Sequence, residues 1–461
     1  MSRDFLKKVW NLIYEESEGD TPSGKISAVG QKVATEINLA EMGYLYGAAV
    51  DLVEGHAFGH GQRVAYIAQE LAVGLELDDD DVTDVALAAL FHDVGLLKIT
   101  HALTEITSTP ESELLVNHQL DAVEDLAIHV RKGSIEKLSE LLIQHVSEGG
   151  AFLEELPLSP AVARLVKGHH ERYDGHGYPA GLRGENVPII QRVLTAADSL
   201  ETAIAAAGER GHSPEFVRAE ALKFSGKQLG PAEAKGLVEA TQNVRFWGIF
   251  TGGQVGKQLM SRIPQERVAV TYGQLATMFV QLVGLVDGKS PYRQNHSWNV
   301  ARNTYLITLE LGMPEDLAAS LGMSGLVHDL GKAGVSNQIL DKPKWLTGPE
   351  YDQAKKHISY TEKILGYAGG LFDEVLEWVA DHHERLDGSG YPNRLKGDKL
   401  SREARILATA DVYDALISDR PYRRGLDPIA AVRFMEGKVN RYFDPEVLGA
   451  LGAVVEATTQ D

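Results

Sequence analysis

Two stretches, HHERYDGHGYP at His169–Pro179 and HHERLDGSGYP at His382–Pro392, agree at nine of eleven positions. The 213-residue offset from His169 to His382 recurs downstream, where LTAADSLETA carries Asp198 and LATADVYDAL carries Asp411. Upstream, FHDVG with His92 and Asp93 answers VHDLG with His328 and Asp329 at an offset of 236, which also joins His60 to His296. The chain therefore reads as a tandem duplication whose first copy carries about 23 extra residues between Asp93 and His169.

Between these blocks apolar residues recur near the helical period. Leu71, Leu75 and Leu77, then Val82, Val85, Ala86, Ala89 and Leu90, mark the first copy; Leu317, Ala318 and Leu321 mark the second. Period-2 alternation is scarce, so the expected fold is all-α: two tandem helical bundles, with turns where Gly and Pro cluster. KQLGPAEAKGLVEA echoes the chain's end, RYFDPEVLGALGAVVEA, and this sets the division. Residues 1–28 read as an amphipathic helix (Phe5, Val9, Trp10, Ile13) on a polar tether, expected to pack on the body. Residues 29–241 form the first copy and 242–461 the second.

The 461 residues are enough for two or three domains, and their composition is that of a folded protein. A net charge of −20 repels polyanions, so no nucleic-acid polymer is expected as a partner. A small phosphorylated ligand needs only a few local cations. The absence of cysteine excludes disulfides, thiolate metal sites and cysteine nucleophiles. The longest apolar runs, such as Ala276 to Val286, are too short for a membrane span, and the N-terminus does not resemble a signal peptide. The expected location is cytoplasmic.

The histidines carry the chemistry. After residue 212 only five remain, His296, His328, His357, His382 and His383, all in or near the repeated blocks. With Asp329 and Asp411 they make seven donors of the imidazole and carboxylate type, which suits Fe, Mn, Zn or Co. Seven are too many for one ion and fit two bridged by a carboxylate. Asp329 is the bridging candidate, being adjacent to His328 at the end of an apolar run. A hydrogen-bonded surface pair is the commoner meaning of an isolated His-Asp; the repeat and the other donors outweigh it here. Asp387, Gly388, Gly390 and Pro392 are turn chemistry.

HDLGK at His328–Lys332, HHERLDGSGYP, ADVYDAL and RPYR at Arg420–Arg423 together resemble the HD-GYP domains, a branch of the HD metal-dependent phosphohydrolases, over residues 265–455 or so. The resemblance implies an all-α domain with a binuclear or trinuclear Fe or Mn centre. It also implies hydrolysis of cyclic di-GMP or 3′,3′-cyclic GMP-AMP. Its metal ligands fall on His296, His328, Asp329, His357, His382, His383 and Asp411. Lys332, Tyr391, Arg420 and Arg423 match its substrate-contacting positions, with Asp329 and Lys332 the catalytic pair. Trinuclear members carry a Glu four residues before the first ligand; Tyr292 stands there, so two ions are expected. Such a pair acidifies a water and stabilises the charge of in-line attack on phosphorus. Glu384 and Asp387 are candidates for orienting ligand imidazoles, with a surface salt bridge the alternative for Glu384.

The first copy keeps His60, His92, Asp93, His169, His170 and Asp198 as a second candidate metal centre. Its remaining ligand is His145 or His118, with His145 preferred for its spacing to His169; His56 is a further candidate. Leu96 replaces Lys332, and Ala207 and Arg210 stand at the positions of Arg420 and Arg423. Without those cations the first copy is expected to be regulatory. The leading expectation is a cyclic dinucleotide phosphodiesterase, with a homodimer or a signalling protein as partner. The alternatives are a metal-containing sensor and an HD phosphohydrolase acting on nucleotides.

Overall fold

The computed structural model describes residues 7–11, 33–53, 58–96, 99, 102, 135–263, 267–289, 295–368, 370–420 and 423–459. As expected, these are mostly helical, and the strands Val33–Asn38 and Arg267–Thr271 pair as a two-stranded sheet. Among the described residues no helix is long and apolar enough to cross a membrane.

The chain forms two compact units. One is Glu36–Val268; the other is Met1–Thr35 together with Ala269–Asp461. Residues 242–268, placed with the second copy on sequence, group with the first. Phe246 stacks on Tyr66 at 5.1 Å, the Tyr44 hydroxyl donates to the Gly256 carbonyl at 3.1 Å, and Arg262 pairs with Glu70 at 2.7 Å. Phe246, Ile249 and Phe250 of VRFWGIF are buried there, while Val244 stays exposed. The N-terminal helix is seen over residues 7–11, where Val9 and Trp10 are buried in the second unit. The Trp10 ring lies 5.3 Å from Tyr305 and against Gly322, where a Cβ would come within 2.9 Å of it. Phe5, Ile13 and the tether lie outside the described residues.

Local chemistry sets the helix boundaries. Asp78 caps Asp79–Phe91 by accepting from the Asp81 N–H at 2.9 Å, and three aspartates favour its first turn. A capping box of Thr347 and Glu350 starts Gly348–Gly366. In the second unit the central helix, Glu315–Val327, is buried at every residue from Leu317 to Val327. It packs mainly on His296–Glu310 and Asp373–Asp381. Its small residues (Ala318, Ala319, Ser320, Gly322, Ser324, Gly325) admit close neighbours, while each buried Leu contributes about 1.5–3 kcal/mol. This helix ends at His328, where the chain passes into the 3₁₀ turn Leu330–Gly334. In the first unit Asp79–Phe91 ends at His92 in the same way.

Candidate metal centre

Five elements of the second unit deliver the donors to one place. His296 is the first residue of its helix, because Asn295 before it takes a left-handed conformation (φ 64°). His328 and Asp329 follow the central helix, His357 sits within Gly348–Gly366, His382 and His383 follow Asp373–Asp381, and Asp411 lies within Arg402–Ile417. Gly331 makes the approach of two of these elements feasible: a Cβ there would stand 2.0 Å from the His357 carbonyl. Its N–H donates to Thr361 Oγ1 at 2.8 Å, tying the turn to the helix that carries His357.

The donors fall into two sets that share Asp329. Oδ2 of Asp329 faces His296 Nε2 at 3.4 Å and His328 Nε2 at 3.2 Å; Oδ1 faces His357 Nε2 at 3.6 Å and His382 Nε2 at 3.9 Å. Asp411 closes the first set, 3.5 Å from His296 and 3.9 Å from His328, and lies 4.0 Å from His383 Nδ1 of the second. The sequence-derived ligands are thus all brought together.

Whether this cluster fits metal is answered by its nitrogens. His328, His357 and His382 each donate from Nδ1 to a main-chain carbonyl, of Gly325, Ala354 and Val379, at 2.6 Å. His296 instead directs Nδ1 to Asp414 Oδ2 at 2.6 Å. Each Nδ1 is thereby engaged and each Nε2 turned into the cluster, where these four buried Nε2 atoms make no hydrogen bond. Buried imidazole nitrogens converging without partners are what cation binding requires. Burial holds His357 down to about 4 and His382 to about 3, so both are neutral and ready to ligate at pH 7. Burial would also lower His296, but Asp329 and Asp414 outweigh it and raise it to about 9. Asp411, although buried, is held near 2 by His328 and His296.

The neighbouring residues differ from expectation in two respects. Glu384 and Asp387 do not orient imidazoles. Glu384 accepts from the N–H groups of Asn393 (2.6 Å) and Leu395 (3.0 Å), clamping the loop after Tyr391, because its buried carboxylate meets main-chain donors before any ring. Asp387 accepts from Ser389 N–H at 2.9 Å and from Arg441 at 3.0 Å. The orienting group that sequence reading missed is Asp414, three residues after Asp411; its signal was an acid at the same place in the other copy, Glu201. Asp287 was missed too: it accepts from the Ser297 N–H at 3.1 Å and holds the turn into the His296 helix.

Lys332 pairs with Asp329 Oδ2 at the edge of the cluster. Tyr391 lies against His383, ring centres 4.8 Å apart. Arg420 and Arg423 exchange main-chain hydrogen bonds of 2.8 and 3.1 Å across Pro421 and Tyr422, which are outside the described residues. The Arg423 guanidinium donates to the carbonyls of Ala415 and Leu416 at the end of the Asp411 helix, so it braces that loop.

The first unit repeats the arrangement. Asp93 is shared by the set of His60 and His92 and the set of His145, His169 and His170. Asp198 stands 3.6 Å from His60 and 3.7 Å from His92. His145 occupies the third position, with Gly95 against its carbonyl as Gly331 is against that of His357; His118, His56 and Tyr292 lie outside the described residues. Glu201 receives both His60 Nδ1 and Arg63 Nε, the latter at 2.5 Å. Leu96 is fully buried where Lys332 stands in the second unit, Ala207 ends its helix, and Arg210 is exposed.

Comparison with known proteins agrees. A family model described as HD domain matches residues 127–223 and 284–447. The chain is 29% identical over 436 residues (90% of this chain, 94% of the relative) to 3′3′-cGAMP-specific phosphodiesterase 3 of Vibrio cholerae. It is 38% identical over 171 residues (37% of this chain, 41% of the relative) to a cyclic di-GMP phosphodiesterase of Pseudomonas aeruginosa. A crystal structure of a cyclic GMP-AMP specific phosphodiesterase of V. cholerae superimposes with a TM-score of 0.66 at 27% identity, over 92% of this chain and 98% of that one. With its His-Asp pairs, its two HHERxDGxGYP loops and a helical bundle around each, the chain belongs to the HD domain family, in its HD-GYP branch.

Proposed function

We propose that the second unit is a metal-dependent phosphodiesterase that hydrolyses cyclic dinucleotides, and that the first unit is regulatory and holds a second metal centre. The observation that carries this is Asp329, whose two carboxylate oxygens each face a separate set of histidines. His296, His328 and Asp411 would hold one divalent ion, and His357, His382 and His383 the other; Fe or Mn suits these donors. Such a pair supplies an acidified water and stabilises charge at phosphorus.

The chain's own residues do the rest. Asp329 fixes the two donor sets at one spacing, and main-chain carbonyls hold the rings in place. Lys332, at the Asp329 Oδ2 edge, is a point cation for a nonbridging phosphate oxygen. Tyr391 walls the His383 side, and Arg420 is a further cationic contact on a loop that Arg423 braces. In the first unit the buried Leu96 removes the cation, which supports a regulatory role.

The V. cholerae relative matched over both units is named for 3′3′-cGAMP and the P. aeruginosa relative for cyclic di-GMP, so these are the substrates to offer. We place the protein in the cytosol, with a second copy or a signalling protein as the partner of its regulatory unit. The test is chromatography of products after incubating protein loaded anaerobically with Fe(II) or Mn(II) with each nucleotide. Linear dinucleotide or mononucleotide is expected. Nucleotide binding by calorimetry without turnover under either metal would replace the enzyme with a sensor.

A further inference from the structure

A row of rings leads outward from the second unit's centre. His383 lies 4.8 Å from Tyr391, and Tyr391 meets Tyr351 edge to face at 5.9 Å. Tyr351, in the N-terminal part of Gly348–Gly366, is 47% exposed and packs on the half-buried Tyr391. Lys355 covers one face of its ring, the ammonium 4.6 Å from the centre, while also pairing with Asp352 at 2.7 Å and lying 5.9 Å from the Tyr391 ring. An exposed ring thus stands two ring contacts from a metal-ligand position, backed by a cation.

The first unit lacks this feature. Tyr178 lies on His170 at 4.8 Å, as Tyr391 lies on His383, but the positions six and two residues before His145 are Ser139 and Ile143, where the second unit has Tyr351 and Lys355. The metal donors and the first tyrosine are present in both units, whereas the outer ring and its cation occur only where Lys332 is also present.

We propose that Tyr351, backed by Lys355, is the platform on which a nucleobase of the substrate stacks, and hence a substrate-binding residue of the second unit. This rests on the phosphodiesterase reading above. With a phosphodiester over the Asp329 cluster, a base one sugar away lies at the distance of the neighbouring side chains, and an aromatic face backed by a cation is a suitable surface for any purine. The base takes the ring face that Lys355 leaves open. Tyr351 touches none of the reacting atoms, so its contribution appears in binding.

The experiment is steady-state kinetics of metal-loaded wild type, Tyr351→Ala, Tyr351→Phe and Tyr351→Trp on 3′,3′-cyclic GMP-AMP and cyclic di-GMP, with metal content measured for each. The expected result is a KM raised on the order of tenfold to hundredfold in Tyr351→Ala, since a base stack is worth that much. The turnover number and metal content should stay near wild type, and KM should be restored by Phe and Trp. An unchanged KM in Tyr351→Ala would overturn the platform while leaving the phosphodiesterase reading intact, as would a fall in turnover number that tracks metal loss, since Tyr351 would then only support Tyr391 and His383. No turnover of either nucleotide by wild type would overturn both.

Discussion

At the scale of single residues, the centre depends on groups with separable jobs. Among the described residues of the second unit, Asp414 is the carboxylate that fixes the imidazole of a proposed ligand through Nδ1, accepting from His296 at 2.6 Å. Asp414→Asn keeps the shape and removes the charge, and should weaken metal binding on the order of 10- to 100-fold, measured by competition with a chromophoric chelator. Unchanged affinity would show that the His328 and Asp411 donors suffice. In the proposed reaction Lys332 acts on charge at phosphorus, so Lys332→Ala should lower the turnover number by roughly 10²–10³ with metal content unchanged. A loss confined to KM would make it a binding residue only. The clustering of these donors was legible, because imidazole and carboxylate at repeated spacings have few other uses. Asp414, Asp287 and the loop clamp Glu384 were not: their partners are a ring nitrogen and main-chain N–H groups, and sequence does not show which backbone donors a loop leaves open.

At the scale of elements, the critical join is where the 3₁₀ turn Leu330–Gly334 meets the helix Gly348–Gly366. A methyl at Gly331 would overlap the His357 carbonyl, a main-chain atom that moves only if the helix moves. Gly331→Ala should cost about 1–3 kcal/mol by overpacking, read as a fall in melting temperature of roughly 2–4 °C per kcal/mol, and should displace His357 from Asp329 and lower metal content. A variant with full metal and wild-type melting temperature would mean that the contact yields. Sequence reading recognised the helical class and the turns but not these approaches. It marked the central helix by Leu317, Ala318 and Leu321, while burial continues through every residue to Val327, leaving no polar face for the periodicity to reveal. It also placed VRFWGIF with the second copy, since an apolar run does not name the surface it covers.

At the scale of the whole molecule, each unit concentrates buried histidines whose protonation depends on the metal. Burial disfavours charge on both His296 and His92. In the metal-free protein Asp329 and Asp414 nonetheless raise His296 to about 9, and Asp93 and Asp198 raise His92 to about 10. A histidine raised above its unfolded value near 6.5 contributes stability that is complete below pH 6.5 and lost as pH rises through its folded value. Chelated protein should therefore lose melting temperature between about pH 7 and pH 10, whereas Mn(II)-loaded protein, whose imidazoles need no proton, should lose much less. Parallel curves with and without metal would contradict this. The duplication was visible in the sequence because the His and Asp blocks recur in register. The limits of the units were not, since they follow apolar contacts of Phe246 and Trp10 that lie outside the repeated blocks.

The central claim is that chemistry resides in the second unit while the first carries a similar cluster without its cation. The most direct measurement is hydrolysis of 3′,3′-cyclic GMP-AMP and cyclic di-GMP by Asp329→Ala and Asp93→Ala side by side, at measured metal content. The account predicts that Asp329→Ala abolishes turnover while Asp93→Ala loses metal from the first unit and still turns substrate over. Turnover that survives Asp329→Ala and disappears in Asp93→Ala would contradict it.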